Sequence, residues 1–328
     1  MKIVQYKIET KLGSEKRMGL VISNKIIDPQ LVWETHFKNA GFYNFEERAK
    51  YKVSTSLAEN LKRWDDPITE LHQSIELFEK FQKAGISDHF IIGDFNSTKL
   101  EAPLDKIATY RDFYAHEKHV RTGFKKRNEE IPPAWFEIPA YYKGATTGFL
   151  GHQDEVLWPS YTDILDYELE LGMVIAKDGM NVKEKDAHKH IFGFTILNDI
   201  SARDIQRKEM SIRLGPAKGK DFCSIIGPVI VTYDEFNYQE PNLLMTAKIN
   251  GDEWSRGHSQ DSHYSWAQMI EHVAKDEWII AGDLFGSGTV GTGCGLELDK
   301  WIKSGDVLEL EIEKIGKLIN KVGEKRKA

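Results

Sequence analysis

Apolar positions recur along this chain in two rhythms. Residues 2–8 and the run 18–29 (MGLVISNKIIDP) are patterned as short strands, the second pair turning at Ser23–Asn24. Leu71, Ile75 and Phe78 then fall at helical spacing and predict a helix over 68–81, preceded by a second over SLAENLKRW. From 155 to 235 apolar strands alternate with short turns, and 243–250 reads as a strand closed by the hairpin signal Asn250–Gly251. YSWAQMIEHVAKDEWI has the pattern of an amphipathic helix. LELDKWIKSGDVLELEIE reads as two strands around Ser304-Gly305-Asp306, and GKLINKVGEKRKA as a basic, frayed tail. Turn residues in DFNSTKLEAPLD place a boundary between a small supporting domain, 1–100, and a second domain, 101–328.

Charged residues interrupt the apolar runs at few places, and these carry the candidate chemistry. Glu168 and Glu170 stand two apart in DYELELGMVI. Strand alternation turns both carboxylates to one face and Leu169 and Leu171 to the other. A second run, FGFTILND, ends on Asp199 and passes through Ser201 into the helical ARDIQRKEM. Converging carboxylates repel one another, so such a cluster takes up protons or holds a cation. It reads as a metal site.

In ATYRDFYAHEKHVRTGF, Asp112, His116 and His119 are spaced i, i+4 and i+7, one face of a helix. A solvated helix face has the same spacing, although Phe113 and Tyr114 point to burial. Prolines in PPAWFEIPAYYKG break regular structure before Tyr141 and Tyr142, aromatic residues that line a pocket or simply pack. Lys220 lies in a glycine-flanked loop, GPAKGKDF, where backbone can approach a ligand and where a lysine can equally be solvated. The glycine-rich GDLFGSGTVGTGCGLEL lacks the helix and the lysine of a phosphate-binding loop, which argues against nucleotide binding. A tight turn exposing backbone N–H groups and Thr289, with Glu297 the nearest acid, fits it better.

Composition narrows the class. The 328 residues, 41% hydrophobic and 29% charged, suit an ordinary globular protein. A net charge of −7 argues against general nucleic-acid binding. Two cysteines, Cys223 and Cys294, exclude a cysteine-rich zinc site and suggest a reducing, cytoplasmic setting. No run approaches the ~20 apolar residues of a membrane span, and the N-terminus lacks a signal-peptide pattern.

With DFYAHEKH, DYELEL, NDISARDIQ, LGPAKGKDF, GSGTVG and GLEL assembled, residues 105–315 resemble the fumarylacetoacetate hydrolase family. The resemblance implies an α+β, mostly β fold, in which a mixed β-roll catalytic domain with flanking helices follows a small β-rich domain. It implies a hard divalent cation, Mg²⁺ or Ca²⁺ with Mn²⁺ as a further option, held by Asp112, Glu168, Glu170 and Asp199. All-oxygen ligation agrees with that choice. By motif, His119 becomes the catalytic histidine and Glu297 its supporting acid. Lys220, Arg203 and Gln206 become catalytic supports, and Tyr114, Tyr142, Arg127 and Thr289 substrate contacts. The implied reaction is hydrolytic carbon–carbon cleavage of a 1,3-diketo acid, fumarylacetoacetate or an acylpyruvate. Water activated by His119 attacks, and the enolate left behind is stabilised electrostatically.

Decarboxylation, hydration or isomerisation of a 2-oxo acid is the alternative, and a metal-binding relative without catalysis a third reading. The family also implies a homodimer with a small-molecule substrate, a place in aromatic amino acid catabolism, and no nucleic-acid or membrane partner. The chain departs from the hydrolase pattern at Cys223–Ser224, which stands where Gly-Thr is usual, and in a shortened loop at 121–133.

Overall fold

The computed structural model describes residues 1–11 and 13–327. Strands β1 (Lys2–Thr10), β2 (Gly13–Ile22), β3 (Lys25–Ile27) and β4 (Ile91–Asp94) belong to the N-terminal part. They are followed by β5 (Tyr110–Phe113), β6 (Tyr141–Gly144), β7 (Glu155–Trp158) and β8 (Leu169–Ile175). Next come β9 (Ile191–Asn198), β10 (Ser224–Thr232), β11 (Leu244–Ile249) and β12 (Asp252–His258). The last are β13 (Leu284–Gly286), β14 (Val307–Ile312) and β15 (Gly316–Lys325).

The large sheet runs β4-β3-β2-β1-β10-β9-β8-β13-β5-β6, and a smaller one runs β12-β11-β14-β15-β7. Neither sheet closes, and strand and helix are nearly balanced at 33% and 30%. β8, β9 and β10 are largely apolar and buried at every position, Glu170 of β8 included. Strands buried on both faces need cover on both sides, which makes them the centre of the sheet. β1 pairs with β10 through Lys2↔Val231 and Ile3↔Ile230, so the N-terminal strands and the acidic strands share one sheet.

Helices α1 (Pro29–Asn39), α2 (Phe45–Lys52), α3 (Leu57–Arg63) and α4 (Pro67–Lys83) belong to the first hundred residues. α4 buries Ile68, Leu71, Phe78 and Phe81, the face its spacing predicts. α5 (Glu117–Lys126), α6 (Arg203–Ile212), α7 (Trp266–Ala274) and the single turn α8 (Gly295–Leu298) serve the rest. No helix among the described residues is long and apolar enough to cross a membrane.

Three local expectations are corrected. Asp112 lies on strand β5, whereas His116 precedes α5 and His119 lies on it, so the three do not share a helix face. The i, i+4, i+7 spacing spans a strand-to-helix junction. Residues 296–298 belong to the turn α8, and only 307–312 of the expected strand pair is extended; β14 pairs instead with β15. The C-terminal segment is therefore no frayed tail: β15 is held between β14 and β7, with Leu318, Asn320 and Val322 buried.

Asp28 ties the N-terminal elements together. One carboxylate oxygen accepts the N–H groups of Gln30 (2.9 Å) and Leu31 (3.1 Å) at the start of α1. The other accepts from the Tyr6 hydroxyl (2.5 Å) and Arg17 Nε (2.7 Å). Asp28→Ala would strip the cap and leave the largely buried Arg17 guanidinium with only the exposed Glu15 carboxylate (2.9 Å), an expected loss of about 2–4 kcal/mol. Urea denaturation checks this, and Asp28→Asn should lose less. A midpoint unchanged in Asp28→Ala would mean that the network does not hold the segment.

Candidate active site

The acids reach one place because of strand register. Glu170 lies on β8 opposite Leu197 of β9, and Glu168 stands one residue before the strand on the same face. The Glu168 backbone forms a bridge with Cys294, and its N–H donates to Asn198 Oδ1 at 3.0 Å. Asp199 follows directly on β9. Asp112 comes from β5, where it aligns with Gly286 of β13, which in turn aligns with Gly172 of β8. A Cβ on Gly286 would overlap Asp112 Oδ1 and on Gly288 the Phe113 carbonyl, so these glycines make room for the aspartate and its strand. The Gly288 N–H also donates to Asp112 Oδ1 at 3.2 Å. As a result Asp112, Glu168, Glu170 and Asp199 are all buried, with one oxygen of each within 4.8 Å of the others.

Cations border this cluster without balancing it. Lys220 Nζ donates to Glu168 Oε2 at 2.6 Å and also pairs with Asp199. Arg203 bridges Glu168 Oε1 (2.8 Å) and Asp166 Oδ2 (2.7 Å). Burial pushes the Glu168 carboxyl up, but the charges of Lys220 and Arg203 outweigh it and bring it down to about 2. Asp112 and Glu170 move the other way, well above the usual carboxylate range. Burial is the largest cause for both, followed by Asp199 for Asp112 and by Asp112 and Glu168 for Glu170. Glu170 Oε2 is buried with no hydrogen-bond partner. An acceptor without a donor, among acids that outnumber their cations, is the electrostatic form of a site for a hard divalent cation.

Beside the cluster lies a histidine–carboxylate pair. His119 Nδ1 is 2.7 Å from Glu297 Oε1, and Glu297 Oε2 accepts the Thr292 N–H at 3.0 Å. Glu297 thus accepts on both oxygens, which places the imidazole hydrogen on Nδ1 and leaves Nε2 as a free base. The Tyr114 ring meets the imidazole edge-on at 5.4 Å.

The structure brings most of the remaining candidates to the same place. The Tyr142 hydroxyl donates to Asp199 Oδ2 at 2.7 Å, Thr289 Oγ1 to Glu170 Oε1 at 3.3 Å, and Arg203 Nη1 to Gln206 Oε1 at 2.9 Å. Arg127 stands at the edge: at the end of α5 it is half-exposed, pairs with Glu129 at 2.9 Å and stacks over Phe124, and its charge acts on the buried Tyr114 hydroxyl beside His119. His116 also stays outside, buried with neither ring nitrogen hydrogen-bonded.

Sequence reasoning missed Asp166. It accepts the N–H groups of Gly295 (2.8 Å) and Leu296 (2.9 Å) and anchors Arg203. Its signal was present, since Asp166, Glu168 and Glu170 alternate. It missed Tyr110 as well, which reaches Asp112 Oδ2 at 3.3 Å. Ser224, noted only as a departure from the family pattern, donates to Asp199 Oδ1 at 3.2 Å.

Residues 108–323 match the family model for the fumarylacetoacetate hydrolase C-terminal domain. The chain belongs to the fumarylacetoacetate hydrolase family. It is 36% identical over 235 residues, 70% of this chain and 74% of the other, to the oxaloacetate tautomerase YisK of Bacillus subtilis. The fumarylacetoacetate hydrolase of Exiguobacterium antarcticum superposes with a TM-score of 0.68 at 21% identity, covering 99% of this chain and 100% of that one. A maleylpyruvate hydrolase from Sphingobium sp. SYK-6, solved with manganese(II) and pyruvate, superposes at 0.69 with 17% identity over 99% of this chain and 100% of its own. Both superpositions bear on the fold.

Two expectations follow. Gly286→Ala should displace Asp112 and weaken Mn²⁺ binding by about 10- to 100-fold, the range for losing a group that orients a ligand. Calorimetric titration checks it, and unchanged affinity would detach Asp112 from the cation. His116 is held at about 4, below the usual 6.5, by burial first and the charge of His119 second. Because the folded value is depressed, the unfolded chain takes up the proton first as pH falls. The neutral ring's full contribution is present above pH 6.5 and declines toward pH 4, by at most roughly 3 kcal/mol. His116→Leu should flatten the fall of stability across that window in pH-dependent urea denaturation.

Proposed function

We propose that this protein is an enzyme that moves a proton at the carbon next to the carbonyl of a 2-oxo acid, interconverting enol and keto forms, with oxaloacetate as the type substrate. The observation that carries this reading is the His119–Glu297 pair set beside a buried four-carboxylate cluster. The 36% identity to an oxaloacetate tautomerase supports it. The chain's own residues would act as follows.

Asp112, Glu168, Glu170 and Asp199 would hold a divalent cation, Mg²⁺, Ca²⁺ or Mn²⁺, which would supply positive charge to stabilise the enolate of such an acid. His119 keeps its hydrogen on Nδ1 toward Glu297 and uses Nε2 to take the proton from carbon and pass it to the enolate oxygen, and in ketonisation to take the enol O–H proton and deliver it to carbon. Glu297 fixes that tautomer and steadies the imidazolium while it lasts. Lys220, set between Glu168 and Asp199, offsets the negative charge that develops on the enol oxygen. Arg203, whose guanidinium holds Asp166, Glu168 and Gln206, orients Glu168 and the Gln206 amide, which offers its N–H groups to a substrate carboxylate. Tyr142 and Thr289 hold Asp199 and Glu170 in place.

Hydrolytic carbon–carbon cleavage of fumarylacetoacetate or another acylpyruvate is the second reading. It is favoured by the Asp112–His119 segment, whose aspartate and histidine both reach the site from one strand-to-helix junction and match the hydrolase motif. There His119 would draw its proton from water instead of carbon.

The test is loss of enol absorbance from oxaloacetate and from acylpyruvates, with Mn²⁺ present and after chelation, together with product analysis. Cation-dependent ketonisation without cleavage supports the first reading, and release of two acids the second. His119→Ala should slow turnover about 10²-fold or more while Mn²⁺ affinity is unchanged. Full turnover in that variant would overturn both.

A further inference from the structure

We propose that His119, Cys294 and Glu297 form a second cation site, selective for a thiophilic metal such as Zn²⁺, and that its occupation switches off the proton relay. The second half rests on His119 being the base, as proposed above. The first half rests on geometry alone.

One ligand atom from each residue, Nδ1, Sγ and a carboxylate oxygen, lies within 4.8 Å of the other two. Cys294 Sγ is 4.0 Å from His119 Nδ1 and 3.7 Å from Glu297 Oε1, and the nitrogen and oxygen are 2.7 Å apart. A tetrahedral zinc with typical bond lengths needs sulfur–nitrogen and sulfur–oxygen separations of about 3.6 Å and a nitrogen–oxygen separation of about 3.4 Å. The sulfur edges are therefore within a few tenths of an ångström of that geometry. Only the nitrogen–oxygen edge must open, by less than ~1 Å, and it does so as the hydrogen bond gives way to metal bonds.

The framework suits a fixed site. Cys294 caps α8 and Glu297 lies within its single turn. The Cys294 backbone is bridged to Glu168, and α5 brings His119 from the facing side. Cys294 has no disulfide partner, since both cysteines are free and buried. Donor chemistry separates this site from its neighbour. Sulfur and imidazole with one carboxylate suit zinc, whereas four carboxylates suit magnesium, calcium or manganese.

The consequence for His119 follows from its tautomer. A metal on Nδ1 displaces the hydrogen directed at Glu297, and the neutral ring then carries its hydrogen on Nε2. The atom that must accept the substrate proton becomes a donor. The proton inventory balances: the Cys294 thiol proton leaves to solvent, and the imidazole gains one hydrogen on Nε2 as it loses one on Nδ1.

The probe is Co²⁺, added to the full chain with excess Mg²⁺ to fill the carboxylate cluster. A thiolate-to-cobalt charge-transfer band is expected in the native protein and in Cys223→Ala, lost in Cys294→Ala, and bleached when Zn²⁺ displaces cobalt. Turnover should fall at least ~10²-fold with stoichiometric Zn²⁺ in the native protein, as loss of a general base requires. Cys294→Ala should keep its own zinc-free rate. Absence of the band in the native protein overturns the proposal whatever the variants do, and so does a band that survives Cys294→Ala. Inhibition relieved by raising Mg²⁺ would place zinc in the carboxylate cluster and also overturn it. The band does not depend on turnover: a band with no activity toward any 2-oxo acid upholds the site and removes the proposed reaction, and activity without the band does the reverse.

Discussion

Excess negative charge buried at the ends of strands is the constraint on which this structure depends. Asp112, Glu168, Glu170 and Asp199 are out of water and close together, and Lys220 and Arg203 neutralise only part of their charge. The opposed displacement of the carboxyls expresses that shortfall. Glu168, touching both cations, is held ionised, while Glu170 and Asp112, facing each other and Asp199, are driven toward the protonated form. A divalent cation would relieve the conflict in one step, and the proposed function uses the cluster in that way.

The His119–Glu297 pair, the proposed proton relay, hangs from the same strand. The first residue of β8 is laced to the glycine-rich segment by hydrogen bonds from the Leu169 N–H to the Gly293 carbonyl (2.9 Å) and from the Val290 N–H to the Leu169 carbonyl (3.1 Å). Asp166, two residues before Glu168, accepts the first N–H groups of α8, the turn that carries Glu297. The proposed cation ligands and the His119–Glu297 pair are thus positioned by one stretch of backbone. A misplaced β8 would move both parts of the site together.

Much of this was legible in the sequence where one periodicity governed. Alternation put Glu168 and Glu170 on one face and the leucines on the other, as found, and the same alternation extends to Asp166. Helical spacing identified α4. Failures came where the period changes within a few residues: Asp112 to His119 crosses from strand to helix, and a helical template fitted it by coincidence. α1 has a weak amphipathic pattern, and only Asp28 followed by Pro29 marked its start. The C-terminal strand looked like a tail because its lysines and glutamate lie on the exposed face, while its partners β14 and β7 are separated from one another in sequence. The convergence of β5, β8 and β13 is tertiary, and the family motifs stood in for it.

The most direct test of the central claim is anomalous diffraction from crystals of the protein equilibrated with Mn²⁺. The account predicts a manganese peak enclosed by carboxylate oxygens of Asp112, Glu168, Glu170 and Asp199, with Lys220 at its edge. A cluster that stays free of manganese at saturating concentration, its acids sharing protons instead, would contradict it.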